Sequence, residues 1–179
     1  PAVGIHNVYN ACIAFACGML LHVTPEQAGK GVSEYVPTGM RQRIVRRAGM
    51  TVIEDCYNAS PDSIKASLRV LRDLDCSRRI AVLGDMKELG SYSRTAHLQC
   101  GAAAAENGID VLLAYGPEAQ GYVDGADGKI PTVLHFDDKQ ELALKLCSML
   151  QEGDAVLFKA SRAMKLEEAI ESVYEVFAG

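Results

Sequence analysis

From Thr51 to the end of the chain, short apolar runs alternate with longer segments of helical periodicity. This alternation limits the possible folds more than any other feature of the sequence. Runs of four to six residues rich in Val, Ile and Leu are typical of strands that are buried on both faces. Parallel strands joined by helices form a doubly wound sheet, with right-handed crossovers and helices on both faces. The sequence therefore predicts an α/β fold with a mostly parallel, Rossmann-like sheet.

The expected strands and helices of this sheet follow one another in order. Strands are predicted at 51–56, 79–83, 111–115, 132–135 and 154–159, and helices at 62–74, 94–107, 117–122, 138–151 and 163–177. A further strand at 41–47 is expected to form a hairpin with the first one through Ala48-Gly49. The stretch 124–129 is expected to be a solvated turn.

Two helices are expected before the sheet begins. Residues 7–22 have a broad apolar face, and Thr24-Pro25-Glu26-Gln27 has the capping-box pattern that starts a short helix, which Gly29 and Gly31 end. Because this helical pair has no sheet of its own to cover, its apolar face implies a missing partner and predicts self-association. Pro37-Thr38-Gly39 marks the expected boundary between a helical remnant of a preceding domain at 1–36 and the α/β domain at 37–179.

Composition excludes several classes of partner. The 179 residues carry a formal net charge of −5, so neither nucleic acid nor an anionic membrane is expected as the main partner. No apolar run is long enough to span a bilayer. The six cysteines form no C-x-x-C pair, which predicts free, buried thiols in a reducing cytoplasm rather than disulfides or a zinc site. No metal site is predicted in this chain, which begins without methionine and is expected to be a piece of a longer protein.

Motifs for common nucleotide and hydrolase chemistry are absent from the sequence. It contains neither G-x-x-x-x-G-K-[ST] nor G-x-G-x-x-G, and it has no nucleophile elbow with a Ser-His-Asp order. The fold class alone therefore does not make the chain a nucleotidase, a dehydrogenase or a serine hydrolase.

The densest group of polar residues follows the strand at 51–56. Five polar side chains lie within eight residues: Asp55, Tyr57, Asn58, Ser60 and Asp62. Ligands of open α/β sheets bind at such a position, after the carboxyl end of a strand. Ser60 is expected to cap the next helix, with Pro61 at its first position. Ordinary turn chemistry explains the same residues, and this alternative stays open for the stretch taken alone.

Polar residues also follow two other strands. They are Asp85, Lys159, Ser161 and Arg162. Because the carboxyl ends of parallel strands share one edge of the sheet, Asp55, Asp85, Lys159 and Arg162 are expected to face one crevice. Two carboxylates and two cations there suit a zwitterionic ligand. A structural ion-pair cluster is the alternative interpretation.

A second group of candidates precedes the sheet. Arg41 follows Thr38-Gly39 in a loop, where a guanidinium group can reach a phosphate. Asn7 and Asn10, next to His6, share one face of the first helix. Their amides suit a purine edge or a phosphate, and helix capping by Asn7 is the alternative.

Four motifs and a weaker fifth occur in one order along the chain. They are Gly4-Ile5-His6-Asn7-Val8-Tyr9-Asn10-Ala11, Thr38-Gly39-Met40-Arg41, Asp55-Cys56-Tyr57-Asn58-Ala59-Ser60-Pro61-Asp62-Ser63, Val82-Leu83-Gly84-Asp85-Met86-Lys87-Glu88-Leu89-Gly90 and Phe158-Lys159-Ala160-Ser161-Arg162. Together they resemble the Mur ligase superfamily of peptidoglycan synthesis, and within it the branch that adds D-alanyl-D-alanine. Glu54, Cys56, Ser60 and Ala160 are mild departures from the pattern of that branch.

The resemblance implies the end of the central ATP-binding domain at 1–36 and the C-terminal domain of the ligase at 37–179. It implies that ATP phosphorylates the carboxylate of UDP-N-acetylmuramoyl-tripeptide, and that the amine of D-alanyl-D-alanine then attacks the acyl phosphate and releases phosphate. The phosphate loop and most Mg²⁺ ligands would belong to the missing part of the central domain, so this chain alone is expected to be inactive. The full-length protein is expected to be a monomer in the bacterial cytoplasm.

The resemblance also implies roles for individual residues. Arg41 and Asp55 are the expected catalytic residues. ATP contacts are expected from His6, Asn7, Asn10, Arg41, Asp55, Tyr57 and Asn58, and substrate contacts from Asn58, Ser60, Asp85, Lys159, Ser161 and Arg162. Two alternatives stay open. One is a non-catalytic ligand-binding module with the same fold, and the other is a Mur or folylpolyglutamate-type ligase that adds a different amino acid.

Overall fold

A computed structural model describes residues 4–36 and 39–177, and a six-stranded sheet forms its core. The strands are β1 (Arg43–Arg47), β2 (Met50–Asp55), β3 (Arg78–Gly84), β4 (Val111–Tyr115), β5 (Thr132–Phe136) and β6 (Asp154–Lys159). They lie in the order β1-β2-β6-β3-β4-β5. All neighbouring pairs are parallel except β1 and β2, which are antiparallel. The predicted α/β fold with a mostly parallel sheet is confirmed.

The helices that follow the strands cover both faces of the sheet. They are α3 (Pro61–Arg72), α4 (Ser93–Glu106), α5 (Gln120–Ala126), α6 (Lys139–Met149) and α7 (Glu167–Val176). On one face, Ile53 and Leu83 are buried with Leu68 of α3 and with residues of α4 and α5. On the other face, Val82 and Val156 are buried with residues of α6 and α7. The strands β2, β3, β4 and β6 are therefore largely buried on both sides, which explains their continuous apolar runs in the sequence, whereas the edge strand β1 contains three arginines and has no buried residue.

The predicted hairpin at the edge of the sheet is confirmed with a shorter first strand. Ala48 and Gly49 join β1 to β2 with positive φ angles of 48° and 73°, as a tight two-residue hairpin loop requires. The first strand begins at Arg43 rather than at residue 41, because Gln42 has a φ of 49°, which an extended strand cannot contain. Arg41 consequently lies in the loop before the sheet and not in the strand.

Some predicted helix boundaries are wrong. The helix α2 (Pro25–Ser33) continues through Gly29 and Gly31, because the capping box of Thr24 and Gln27 secures its start and a glycine inside a helix costs only about 1 kcal/mol. The helix α5 starts later than predicted and extends into the stretch expected to be a turn, since it lies closely on α4. The last helix, α7, begins after a separate 3-10 turn at Arg162–Met164.

The N-terminal helices α1 (Ile5–Leu20) and α2 lie against each other. A Cβ built on Gly18 would lie 3.5 Å from the Ala28 Cβ, so the two helices approach closely there. Neither helix has a buried residue, and the exposed fractions of Tyr9, Ile13 and Leu20 are 65%, 62% and 80%. This confirms a broad apolar face on the first helix. Pro37 and Thr38, at the expected domain boundary, lie outside the described residues.

The six cysteines are free, as predicted, but they are not all buried. Cys56 and Cys100 are in the core, where desolvation raises the pKa of Cys56 to about 12 and that of Cys100 to about 11. Cys12 and Cys17 are exposed on α1, so the prediction of buried thiols is wrong for both. Separately, within the described ranges no helix is long and apolar enough to cross a bilayer.

Candidate functional site

A cleft of about 330 Å³ opens where β2 and β6 end and α3 begins, with the first turns of α1 on its other side. Ligands of open α/β sheets bind at this edge. Nine residues singled out from the sequence line the cleft: His6, Asn7, Asn10, Arg41, Asp55, Tyr57, Asn58, Ser60 and Lys159. The fold thus brings together candidates from separate parts of the chain.

Asp55 and Lys159 form a buried ion pair in the cleft. Lys159 Nζ lies 2.7 Å from Asp55 Oδ2 and donates a second hydrogen bond, of 3.1 Å, to the Asn58 carbonyl oxygen. The register of the parallel strands β2 and β6 pairs the two residues, which places both at the same edge of the sheet. The Lys159 side chain is only 2% exposed, so the carboxylate compensates its charge at a site where water cannot.

Further donors hold both carboxylate oxygens of Asp55. Ser67 Oγ donates a hydrogen bond of 2.6 Å to Oδ2, and the Gln42 backbone N–H donates one of 3.2 Å to Oδ1. Ser67 is fully buried on α3 and lies one helical turn after Ser63, which also lines the cleft. A carboxylate that accepts from several donors is fixed in orientation, so the geometry makes Asp55 an anchor for Lys159.

The first two turns of α1 contribute an imidazole and two amides. Gln42 Oε1 lies 3.0 Å from His6 Nε2 and accepts a hydrogen bond of 2.9 Å from Asn7 Nδ2. Asn10 Nδ2 donates to Asn7 Oδ1 at 3.2 Å, so the two asparagines share one helix face as their spacing predicts. Gly4 occupies the N-cap of α1, which excludes the alternative that Asn7 caps this helix.

Arg41 and Tyr57 form an exposed part of the cleft wall. The Arg41 guanidinium carbon lies 3.9 Å from the centre of the Tyr57 ring, which is a cation–π contact. Both side chains are exposed, Tyr57 by 44%. Stacking occupies one face of the guanidinium group and leaves its N–H edge available for a phosphate or a carboxylate.

Hydrogen bonds within the β2–α3 loop determine its shape. Asn58 Oδ1 accepts a hydrogen bond of 2.8 Å from the Ala59 N–H. Ser60 and Ser63 each accept the other's backbone N–H with their hydroxyl oxygen, at 3.3 and 2.9 Å, and so form a capping box. The predicted cap at Ser60 and the predicted start at Pro61 are confirmed. The positive end of the α3 dipole therefore lies beside the cleft, where it favours an anionic group.

Asp85, Ser161 and Arg162 do not line this cleft, so of the four charged residues expected to face one crevice the cleft itself contains only Asp55 and Lys159. The Arg162 side chain is 62% exposed and pairs with Glu167 at 2.7 Å. The loops that follow the strands explain why these residues are separated from the cleft. A strand end fixes the position of a residue in the sheet, whereas the loop that follows decides where the side chain points.

Asp85, Lys87, Glu118 and Ser161 form a second polar cluster beyond the end of β3. The buried Asp85 lies 2.8 Å from Lys87 Nζ through Oδ2 and accepts the Glu118 backbone N–H at 3.1 Å through Oδ1. Ser161 Oγ accepts the Lys87 backbone N–H at 2.9 Å. The hydrogen bond to Asp85 raises the pKa of Lys87 above its ordinary value. The hydrogen bond from Ser93 and the charge of Lys87 lower the pKa of Glu118.

Reasoning from the sequence missed five residues that line the cleft: Tyr35, Gln42, Ser63, Ala66 and Ser67. Three of them have a detectable signal, because Ser63, Ala66 and Ser67 are small residues on one face of the first turns of a predicted helix. Gln42 has no signal of its own beyond its position next to Arg41.

The donor set of the described residues does not fit a complete Mg²⁺ site. Within residues 4–36 and 39–177, no group of three or more His, Cys, Asp or Glu side chains is placed to hold a metal ion. In the cleft, Asp55 already accepts hydrogen bonds from Lys159, Ser67 and Gln42. Mg²⁺ requires several oxygen ligands in octahedral geometry, which this carboxylate alone does not provide.

Comparison with known proteins by sequence gives one consistent result. The family described as "Mur ligase, glutamate ligase domain" matches residues 40–162. The UDP-N-acetylmuramoyl-tripeptide–D-alanyl-D-alanine ligase of Bacillus subtilis is 38% identical over 98% of this chain, and the protein of the same name from Escherichia coli is 33% identical over 98%. The chain spans 39% and 38% of the length of these two relatives.

Solved structures agree with the sequence comparison. The crystal structure of the MurF ligase from Thermotoga maritima in complex with ADP superposes with a TM-score of 0.84 and 26% identity, covering 99% of this chain and 40% of that one. A MurF crystal structure from Acinetobacter baumannii superposes with a TM-score of 0.87 and 30% identity, covering 97% of this chain and 38% of that one.

Proposed function

The chain belongs to the Mur ligase family, and from that premise we propose that it is the C-terminal part of an ATP-dependent ligase of peptidoglycan synthesis. The ligase would join D-alanyl-D-alanine to UDP-N-acetylmuramoyl-tripeptide, which is the activity that the names of the Bacillus subtilis and Escherichia coli relatives state. The observation that carries the proposal is the cleft, which gathers residues from four of the five sequence motifs.

We assign residues 1–36 to the end of the central ATP-binding domain and residues 37–179 to the C-terminal domain. The match to the glutamate ligase domain starts at residue 40, which supports a boundary just before it. The position of the cleft is a second support, because it lies between the first turn of α1 and the edge of the sheet. A ligand in the cleft would contact both domains.

The cleft is proposed to hold ATP. The amides of Asn7 and Asn10 and the imidazole of His6 offer donors and acceptors to a purine or a phosphate, and the exposed Tyr57 ring offers a stacking surface. The solved relative from Thermotoga maritima, whose structure contains ADP, has the same fold over 99% of this chain, which supports a nucleotide as the ligand. ATP, when bound, supplies the phosphoryl group that activates the carboxylate of the tripeptide.

The charged residues of the cleft have distinct proposed roles. Arg41 stabilises negative charge on phosphate oxygens and on the tetrahedral intermediate that forms when the amine attacks. Lys159 has three N–H donors and uses two of them on Asp55 and Asn58, so the third remains for a substrate oxygen. Asp55 holds this ammonium group as part of the proposed nucleotide-binding loop. It does not act as a free base, because both of its carboxylate oxygens already accept hydrogen bonds.

The dipeptide is proposed to bind between the cleft and the second polar cluster. As a zwitterion, D-alanyl-D-alanine requires a cation near its carboxylate and hydrogen-bond acceptors near its amine. Contacts are proposed from Asn58, Ser60, Asp85, Lys159, Ser161 and Arg162. Lys87, which pairs with Asp85 and is partly exposed, is an additional candidate for the carboxylate.

Mg²⁺ is proposed to be held mostly by the rest of the central domain, since the cleft residues do not fit a complete site for it. We assign no step of the reaction to Mg²⁺ through residues of this chain. The full-length ligase is proposed to act as a monomer in the bacterial cytoplasm, where ATP is available.

Phosphate release tests the proposal. Full-length protein with ATP, Mg²⁺ and UDP-N-acetylmuramoyl-tripeptide is expected to release phosphate only when D-alanyl-D-alanine is added, and the 179-residue chain alone is expected to release none. Arg41→Ala is expected to lower the rate about 100-fold or more, by loss of a transition-state charge. Arg46→Ala, which removes an exposed arginine of β1, is the matched control. Release that is independent of the dipeptide, or an unchanged rate in Arg41→Ala, would contradict the proposal.

A further inference from the structure

Gln42 lies outside the residues singled out from the sequence, yet it contacts both sides of the cleft. We infer that Gln42 is a positioning residue of the nucleotide site. It fixes the orientation of the α1 amides and of the Asp55 carboxylate relative to each other before a ligand binds. The inference rests on the proposed function, because it takes the cleft to be the nucleotide site. Three sets of contacts support it.

The side-chain oxygen of Gln42 is a shared acceptor for two neighbouring donors. It lies 3.0 Å from His6 Nε2 and 2.9 Å from Asn7 Nδ2, and these two nitrogens are 3.1 Å apart. When His6 carries its proton on Nε2, both nitrogens are donors and cannot bond to each other, so the carbonyl oxygen between them satisfies both. Without this acceptor, the imidazole has to change its tautomer or one side chain has to rotate.

The same contact decides which way the asparagine amides point. Because Asn7 Nδ2 is directed at Gln42, Asn7 Oδ1 is left to accept from Asn10 Nδ2, at 3.2 Å. The donors and acceptors that these side chains present to a purine edge therefore depend on Gln42. An amide turned by 180° would present a donor where an acceptor is needed.

The backbone and amide nitrogen of Gln42 reach the opposite side of the cleft. The Gln42 N–H donates to Asp55 Oδ1 at 3.2 Å, and Gln42 Nε2 lies 3.5 Å from Ser67 Oγ, which donates to Asp55 Oδ2. One residue thus joins the first turn of α1 to the ion pair of Asp55 and Lys159.

The conformation of Gln42 is unusual for a residue with a side chain. Its φ of 49° lies in the left-handed region, which glycine adopts far more readily. This turn directs the N–H of Gln42 at Asp55 and leaves the preceding residue, Arg41, over the Tyr57 ring. Hydrogen bonds of the side chain compensate for the backbone strain, which distinguishes a positioning role from simple turn formation.

ADP binding by the full-length protein, measured by calorimetry, tests the inference. Gln42→Met has a similar length but no amide, and we expect its Kd for ADP to rise about tenfold, as the loss of about two net hydrogen bonds implies. Gln42→Gly removes the same side-chain contacts and also the backbone strain of the positive φ. We therefore expect Gln42→Gly to be at least as stable as Gln42→Met and to bind ADP as weakly as that variant. Gln151→Met, at an exposed position, is the control and is expected to bind like the wild type.

A double-mutant cycle separates positioning from a general structural effect. If Gln42 acts through Asn7, Gln42→Met is expected to change ADP affinity less than twofold in an Asn7→Ala background. Full additivity of the two changes, or wild-type affinity in both Gln42 variants, would overturn the inference while leaving the nucleotide site intact. Wild-type protein that does not bind ADP would overturn the proposed nucleotide site together with this inference.

Discussion

The Lys159 ammonium and the Asp55 carboxylate are both withdrawn from water, with side-chain exposures of 2% and 10%. Removing two charges from water costs several kcal/mol for each ion, and their mutual attraction offsets this cost only with good geometry and further hydrogen bonds. Here Ser67, Gln42 and the Asn58 carbonyl provide those hydrogen bonds. At the scale of single residues, the cleft therefore depends on a fully compensated ion pair.

Breaking this ion pair is expected to destabilise the fold. Lys159→Met leaves the Asp55 charge buried without its partner, and we expect the free energy of unfolding to fall by about 3–5 kcal/mol. Denaturant unfolding of the 179-residue chain measures it, with Lys145→Met, at an exposed lysine of α6, as the control. The double variant Asp55→Asn with Lys159→Met contains neither charge and is expected to lose less than Lys159→Met alone. An equal or larger loss would contradict the role of the unpaired charge.

At the scale of elements, small residues determine how α4 and α5 meet. A Cβ built on Gly101 of α4 would overlap the carbonyl oxygen of Tyr122, and one on Gly125 of α5 would overlap that of Leu98. This close approach buries Tyr122, whose hydroxyl donates to the Gly84 carbonyl oxygen at 3.0 Å. The second polar cluster follows directly on Gly84, so the packing of two helices supports its position.

A single methyl group between these helices is expected to be costly. Gly101→Ala forces α4 and α5 apart, and we expect the free energy of unfolding to fall by about 1–3 kcal/mol despite the better helix propensity of alanine. Thr95→Ala, on an exposed position of the same helix, is the control and is expected to change it by less than about 0.5 kcal/mol. Chemical denaturation measures both variants, and equal stability of Gly101→Ala and the wild type would refute the close contact.

At the scale of the whole molecule, the apolar face of α1 is the feature that the described residues leave uncovered. Val8, Ile13 and Leu20 are exposed by 54%, 62% and 80%, although side chains of this type are usually buried. Exposed apolar patches of this kind mark contact surfaces. In the proposed ligase, the rest of the central domain would cover this face.

The isolated 179-residue chain is expected to self-associate through α1. Sedimentation velocity over a range of concentrations is expected to show a species heavier than the 19.3 kDa monomer. Ile13→Asp with Leu20→Asp introduces charges on the apolar face and is expected to give a monomer. Leu144→Asp, at a residue of α6 that is 73% exposed, is expected to leave the association unchanged. A wild-type chain that stays monomeric at all concentrations would contradict this prediction.

Most elements of the fold could be predicted from the sequence because their signals are local. The apolar runs at 111–115 and 154–159 correspond to β4 and β6 without a shift of either boundary. Ser60 and Pro61 identify the start of α3 through capping chemistry, which depends on four consecutive residues. The start of α5 was less predictable, since packing on α4 and not a cap decides where that helix lies.

The sequence by itself determined the alternating elements, the α/β class and the polar residues at the carboxyl edge of the sheet, because periodicity and capping act over a few residues. Only the tertiary structure decided which of those residues meet. Strand β6, the last in the chain, lies between β2 and β3, so Lys159 reaches Asp55 although 103 residues separate them. The loops after β3 and β6 direct Asp85 and Arg162 elsewhere, and the left-handed turn at Gln42 joins α1 to the cleft. Strand order and loop direction depend on contacts between distant segments, and local pattern does not contain them.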